Sequence, residues 1–113
     1  MGESFLRAIE NSRLEDSGFY YTMSLISGKY KMVILYALSV KPVMRFNEMQ
    51  RFLKTISYKT LSATLKDLEA DHLILRREYP QVPPKVEYSL TARGKSLIPI
   101  LHAMCDWGEQ NRI

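Results

Sequence analysis

The chain of 113 residues has the length of one domain, and its composition, 46% hydrophobic and 25% charged, excludes a collagen-like, disordered or disulfide-rich protein. No apolar run reaches the roughly 18–20 residues that a bilayer-spanning helix needs, and the charged N-terminus is unlike a signal peptide. The single cysteine, Cys105, excludes an internal disulfide and fits a reducing compartment. We therefore expect one cytoplasmic domain over residues 1–113, without a membrane partner.

The net charge of +4 is unevenly distributed along the chain. Residues 41–66 contain six lysines and arginines against one acid, Glu48, which gives a net charge of +5. Residues 1–27 and residues 67–90 each have a net charge of −2. A basic block of this kind indicates either a surface for a polyanion such as nucleic acid or an ordinary solvated face.

The first half of the chain contains apolar residues spaced three and four apart, which is typical of amphipathic helices. Residues 3–15 hold three such side chains and predict a short helix. Another helix is predicted from Tyr30 to Ser39 and should end before Pro42. Gly28 leaves room only for a short helical turn ahead of it.

Two closely spaced helices follow in the basic block. The segment FNEMQRFL, residues 46–53, predicts a helix with Asn47 as its N-cap and Glu48 in its first turn, and a very short strand is expected just before it. After a brief stop, residues 58–73 predict a second helix that is capped by Ser57 and has leucines at i, i+4 and i+7.

A hairpin and a last helix complete the pattern. Ile74–Tyr79 and Val86–Leu90 alternate with a period of two, which is the pattern of strands with one buried face. The connector between them contains three prolines, so we expect a stiff, protruding loop. Residues 91–112 predict a helix with Thr91 as its N-cap and a wide apolar stripe.

Two short helices followed by a two-stranded ribbon predict a winged helix-turn-helix, a mainly α fold with a small antiparallel β-wing (α+β). The second helix of the pair has the features of a DNA-reading helix, because small residues allow close approach, hydroxyls can bond base edges and lysines neutralise phosphates. Its acids lie towards the C-terminal end, away from the expected point of entry. The candidate recognition residues are Ser57, Tyr58, Lys59, Thr60, Ser62, Ala63 and Lys66.

Polar residues of the preceding helix and of the ribbon are candidates for supporting contacts to phosphate or the minor groove. They are Arg45, Asn47, Arg51, Arg76, Arg77, Gln81 and Lys85. The alternative to a DNA contact is that half or more of the basic side chains in the ribbon only form ion pairs with Glu78 or Glu87.

The two terminal helices carry more apolar surface than a core of this size is expected to bury. Exposed apolar helical faces usually mark a partner interface, so we expect residues of about 3–15 and 91–112 to form a homodimer. The candidate interface residues are Phe5, Leu6, Ile9, Leu97, Leu101, Met104 and Trp107. The alternative is that Trp107 covers the core of a monomer.

The chain resembles the HxlR-type bacterial transcriptional regulators from about Ser17 to Trp107. The resemblance rests on four features: SLISGKYKMVIL, RFNEMQRFLKTISYKTLSATLKDLEADHL, REYPQVPPKVEYSLTARGKSLIPIL and the late Trp107. It implies a dimeric winged-helix protein that binds a double-stranded DNA operator. By the same resemblance Ser57 to Asp71 forms the recognition helix, Arg76 to Leu90 the wing and the terminal helices the dimer.

The chain departs from the family pattern at two positions. Many members carry a cysteine followed by proline near the start of the domain, where this chain has Ser17 and Gly18. A redox switch based on that cysteine therefore cannot be transferred. The family also usually has glycine where this chain has His72, so we expect the recognition helix to end differently.

Other functions remain as alternatives. We expect no enzyme, cofactor or metal, since the sequence has no phosphate-binding glycine loop and His102, Cys105 and Asp106 on one helix would give poor metal geometry. By default Cys105 is a small buried residue and His102 lies at the dimer interface. A winged helix that binds protein rather than DNA is one rival. A sensor of redox state or of a small-molecule effector is another, with an apolar pocket lined by Tyr20, Tyr21, Tyr30 and Trp107.

Overall fold

The computed structural model describes residues 2–113, which form six α-helices and one antiparallel pair of strands. A 3₁₀ turn at Leu14–Asp16 lies between the first two helices. The elements are α1 (Glu3–Glu10), α2 (Gly18–Ile26), α3 (Lys31–Val40), α4 (Phe46–Leu53), α5 (Tyr58–Ala70), β1 (Ile74–Tyr79), β2 (Lys85–Leu90) and α6 (Ala92–Asn111). None of the helices within residues 2–113 is long and apolar enough to cross a membrane.

The core lies where α3, α5 and the start of β1 meet. The leucines of α5 that are spaced i, i+4 and i+7 are all buried, as their periodicity predicts. They are joined by Ile34, Leu35 and Leu38 of α3, and by Leu73 and Ile74 at the entry to β1. The core thus fixes one face of α5 and leaves its opposite face to solvent.

The two strands form the predicted hairpin in a register that pairs Ile74 with Leu90 and Arg76 with Tyr88. The short strand predicted ahead of α4 is present as a single bridge, in which Met44 and Tyr88 exchange backbone hydrogen bonds of 3.1 and 2.9 Å. This bridge ties the segment that precedes α4 to the base of the hairpin.

Two of the three predicted N-caps are present. The Ser57 hydroxyl accepts from the Thr60 N–H at 3.1 Å, and the Thr91 hydroxyl accepts from the Gly94 N–H at 2.9 Å. The prediction of Asn47 as a cap was wrong, because α4 begins at Phe46 and Arg45, two residues before Asn47, occupies the cap position. The Glu48 carboxylate accepts from the Arg45 N–H at 3.0 Å and satisfies this end of the helix.

The N-terminal region differs from the prediction in two respects. The helix expected over about 3–15 ends at Glu10, because Ser12 takes a left-handed conformation (φ 54°). Its neighbour Arg13 donates its N–H back to the Ala8 carbonyl at 2.8 Å and closes the helix. In place of a short turn before Gly28, the nine-residue helix α2 is present, capped by Ser17, whose hydroxyl accepts from a backbone N–H.

Helix α5 ends in the manner that glycine usually provides, although His72 stands there. His72 is left-handed (φ 59°) and donates its N–H to Glu69, while Leu73 donates to Leu68 at 3.0 Å. This is a Schellman motif, so the expectation of a different helix end was wrong. The His72 carbonyl accepts from the Thr91 hydroxyl at 2.6 Å, and this tertiary bond holds the strained residue in place.

Gly94 is required where α6 crosses the end of α5. A Cβ atom at this position would lie 2.1 Å from the Leu73 carbonyl oxygen. Gly94→Ala is therefore expected to lower the free energy of unfolding by about 1–3 kcal/mol, since α6 must shift to relieve the overlap. Chemical denaturation measures the change.

Gly108 provides the matched control on the same helix, because a Cβ there meets nothing within 4 Å. Gly108→Ala should leave stability unchanged or raise it by up to about 1 kcal/mol through helix propensity. Equal effects of the two substitutions would contradict the close approach at Gly94.

Candidate nucleic-acid interface

The turn between α4 and α5 sets the angle of the second helix. Lys54 has φ 58° and ψ −59°, and the Thr55 N–H bonds the Leu53 carbonyl at 2.6 Å. This is a tight γ-turn that reverses the chain within three residues. Ile56, which is buried, and the Ser57 cap then start α5. The turn and the cap together present the N-terminal end of α5 at the surface.

The solvent face of α5 carries the predicted recognition residues. Ser57, Tyr58, Lys59, Thr60, Ala63 and Lys66 are exposed, and Ser62 is half-buried. The Tyr58 ring packs on Phe46 of α4, with ring centroids 4.8 Å apart. The Ser57 hydroxyl donates to the Thr60 hydroxyl at 2.9 Å, which orients both groups. Lys59 and Lys66 project from the same exposed face as Ala63.

The segment from Lys41 to the end of α4 contributes fewer free cations than its sequence suggests. Arg45, Asn47 and Arg51 are exposed, as expected for supporting contacts. Lys41, however, forms an ion pair with Glu48. The Lys41 ammonium donates a hydrogen bond to the Glu48 carboxylate, and this bond is the main cause that lowers the pKa of Glu48. The hydrogen bond from the Arg45 backbone N–H is the second cause.

In the wing, neighbouring acids already pair with two of the predicted basic contacts. Arg76 lies 3.6 Å from Glu78, and Lys85 lies 3.7 Å from Glu87, which confirms the alternative raised for these residues. The Arg77 guanidinium lies instead 5.0 Å from the centre of a tyrosine ring in β1. Gln81 is exposed in the connector.

Two residues that sequence reasoning did not assign to the site lie beside α5. Glu69 and Tyr88 line a polar cleft between α5 and the hairpin, together with Lys66 and Arg76. A signal for Tyr88 was present, because strand alternation places it and Arg76 on facing positions of neighbouring strands. No comparable sequence signal marked Glu69.

The candidate interface residues of the terminal helices fall into three groups by exposure. Leu6, Ile9, Met104 and Trp107 are exposed, and Trp107 retains 68% of its accessible surface. Phe5 and Leu97 are partly buried, and Phe5 packs edge-on against Phe19 of α2 at 5.8 Å. Leu101 is only 5% exposed and belongs to the core. The prediction for Leu101 is therefore corrected, since its side chain packs inside the chain.

An apolar groove of about 680 Å³ lies between α3, α4 and α6. Its lining includes Val33, Tyr36, Ala37, Phe52, Met104 and Cys105. None of the four aromatic residues predicted to line a pocket contributes to it. Tyr20 and Tyr21 lie on α2, which is outside the groove.

Cys105 lies at this groove and is exposed, so the default of a buried cysteine was wrong. The Tyr36 hydroxyl lies 3.1 Å from Nδ1 of His102. A hydrogen bond with Cys105 is the main cause that raises the pKa of the Tyr36 hydroxyl. His102 also lies 3.6 Å from Asp106. Within residues 2–113 no group of three or more His, Cys, Asp or Glu side chains has the geometry to hold a metal ion.

The fold and the exposed face of α5 define a winged helix-turn-helix protein. Residues 25–112 match the sequence profile of the HxlR-like helix-turn-helix family, and the chain belongs to that family. It is 57% identical over 99 residues to an uncharacterised HTH-type transcriptional regulator of Halalkalibacterium halodurans. The aligned residues cover 88% of each chain. It is also 50% identical over 96 residues to the HTH-type transcriptional regulator YdzF of Bacillus subtilis, over 85% of this chain and 88% of the relative.

Solved structures of the redox regulator HypR have the same fold. The reduced form superposes with a TM-score of 0.82 at 44% identity. This match covers 85% of the present chain and 94% of the HypR chain. The oxidised form superposes with a TM-score of 0.79 at 43% identity. This match covers 84% of the present chain and 97% of the HypR chain. The protein is thus a helix-turn-helix transcriptional regulator and not an enzyme.

Proposed function

We propose that the protein regulates transcription as a homodimer that binds a double-stranded DNA operator, with α5 of each copy in the major groove and the wing on the flanking backbone or minor groove. Each copy would act as a single domain, with α1 and α6 as the dimerisation elements. Binding to the chromosome would place the protein in the cytoplasm.

The observation that carries the DNA-binding proposal is the division of α5 into two faces. Its leucines are buried, and its opposite face exposes Ala63, with Lys59 near the capped N-terminal end and Lys66 two turns further along the helix. Positive side chains and free N–H groups at a helix N-terminus attract phosphate, while small and hydroxyl side chains allow contact with base edges.

The shape of the chain supports a dimer. Its radius of gyration is 16.4 Å, against about 13 Å for a compact domain of this length. The principal contacts of α1 are with the 3₁₀ turn and α2, so it leaves most of its apolar face uncovered. The exposed Met104 and Trp107 of α6 provide a second uncovered apolar surface. A second copy would cover both.

Lys59→Ala is expected to weaken operator binding and to flatten its salt dependence. Each phosphate contact that is lost reduces the slope of log K against log salt concentration by about 0.9. Lys95, which is also exposed, lies on α6 away from the recognition face, so Lys95→Ala serves as the control. Fluorescence anisotropy with a labelled operator at several salt concentrations measures the slope. An unchanged slope for Lys59→Ala would remove this residue from the interface.

A gel mobility shift at low salt, with the intergenic DNA next to the gene, tests the function as a whole. A specific shift that survives excess unrelated DNA is expected. The absence of a shift at low salt would overturn DNA binding and favour the rival in which the winged helix binds protein.

The groove between α3, α4 and α6 supports a second candidate, response to a small apolar effector. Its volume lies within the roughly 300–1,000 Å³ typical of ligand sites. Such a compound should change operator affinity in the wild type but not in Ala37→Phe, whose ring would fill the groove. The redox response named for HypR is not included in the proposal, because Ser17 occupies the family cysteine position and Cys105 is the single cysteine.

A further inference from the structure

The polar cleft between α5 and the hairpin brings together donors from α5 and from both strands. Ser62 and Lys66 come from α5, whereas Arg76 and Tyr88 come from neighbouring strands. A hydroxyl, an ammonium, a guanidinium and a phenol are all groups that bond phosphate oxygens. The cleft measures about 350 Å³, which is ample for a phosphodiester.

Tyr88 is held firmly enough to orient a neighbour. Its side chain is buried, and its backbone is bonded to Met44 in both directions. Arg76 lies directly opposite on β1. Arg76 lies 3.6 Å from Glu78 and lines the same cleft as Tyr88 and Glu69. The side chain of Tyr88, followed by the charges of Glu78 and Glu69, raises the pKa of the Arg76 guanidinium. A guanidinium held in this way loses less conformational entropy when it binds a ligand.

Glu69 is the acid in the cleft and opposes the binding of an anion. It lies one turn after Lys66 along α5, and both side chains line the same cleft. Its carboxylate competes with a phosphate for Lys66 and Arg76. Glu78, 3.6 Å from Arg76, competes from the hairpin side. These two carboxylates are expected to limit the affinity of the cleft for an anion.

We propose that this cleft binds one backbone phosphate of the operator, with Tyr88 as the positioning residue for Arg76 and Glu69 as the residue that limits affinity. The inference rests on the proposed DNA-binding function. A duplex that holds α5 in its major groove and the wing on its flank passes one strand over the space between them, where the cleft opens.

The test compares four variants by fluorescence anisotropy with a labelled operator over a range of salt concentrations. They are Arg76→Gln, Tyr88→Phe, the double variant and Glu69→Gln. Arg76→Gln should reduce the salt slope by about 0.9, whereas the control Arg112→Gln, at an exposed position near the end of the chain, should not. Glu69→Gln should tighten binding by up to about fivefold, since one opposing charge is removed.

Tyr88→Phe keeps the buried ring and removes only the hydroxyl. It should weaken binding about two- to tenfold in the wild type and have no further effect in Arg76→Gln. A positioning role is overturned if the two effects add, because Tyr88 would then act independently of Arg76.

The outcomes separate failure of the cleft from failure of the proposed function. If the wild type binds and Lys59→Ala lowers the slope, but Arg76→Gln does not, the phosphate site is overturned and DNA binding stands. If Glu69→Gln weakens binding, its limiting role is overturned. If the wild type binds no operator, the proposed function itself fails.

Discussion

Replacing Trp107 with glutamate is expected to convert the proposed homodimer into a monomer. Trp107 is 68% exposed on α6, one turn from the exposed Met104. Buried aromatic residues at the centre of an interface commonly contribute 2 kcal/mol or more. A two-fold dimer contains two copies, so the dissociation constant should rise at least about a thousandfold. Sedimentation equilibrium measures it.

Trp107→Phe is the conservative control and should remain a dimer, because it keeps an apolar ring at the same position. Circular dichroism should show the same helix content and a cooperative unfolding transition for both variants, since residue 107 lies outside the core. If Trp107→Glu sediments as a dimer, the assignment of α6 to the interface is wrong.

Ala63→Glu is expected to abolish operator binding without unfolding the protein. Ala63 is exposed on the face of α5 that we assign to DNA, and glutamate is a good helix former. A carboxylate at this position would meet base edges and phosphates at close range. Like charges placed against each other in an interface cost several kcal/mol, which corresponds to a loss of at least about a hundredfold.

Ala92→Glu introduces the same side chain at an exposed position in the first turn of α6. Its affinity for the operator should fall less than about threefold, through the change in net charge alone. Equal losses in Ala63→Glu and Ala92→Glu would show that the effect is a general electrostatic one and would contradict the assignment of α5.

The elements whose signals are local could be predicted closely from the sequence. The apolar spacing of α4 and α5, the Ser57 cap and the alternation of the hairpin residues each depend on neighbours within a few positions. The end of α4 at Leu53 and the pairing of the two strands are confirmed. The exposed face of α5 followed directly from its buried leucines.

The features that could not be predicted depend on contacts between distant segments. His72 adopts a left-handed conformation because Thr91, nineteen residues later, bonds its carbonyl. Leu101 has the periodicity of an interface residue, and only the packing of α6 against α3 shows that it is buried. Glu69 faces Arg76 across the cleft because the chain reverses between α5 and β1.

The most direct test of the central claim is a hydroxyl-radical footprint of the protein on its operator. A homodimer with α5 of each copy in the major groove predicts two protected patches related by two-fold symmetry. Their centres should lie about 10–10.5 base pairs apart, or one turn of DNA. A single patch, or no protection at low salt at concentrations where the protein is dimeric, would contradict the account.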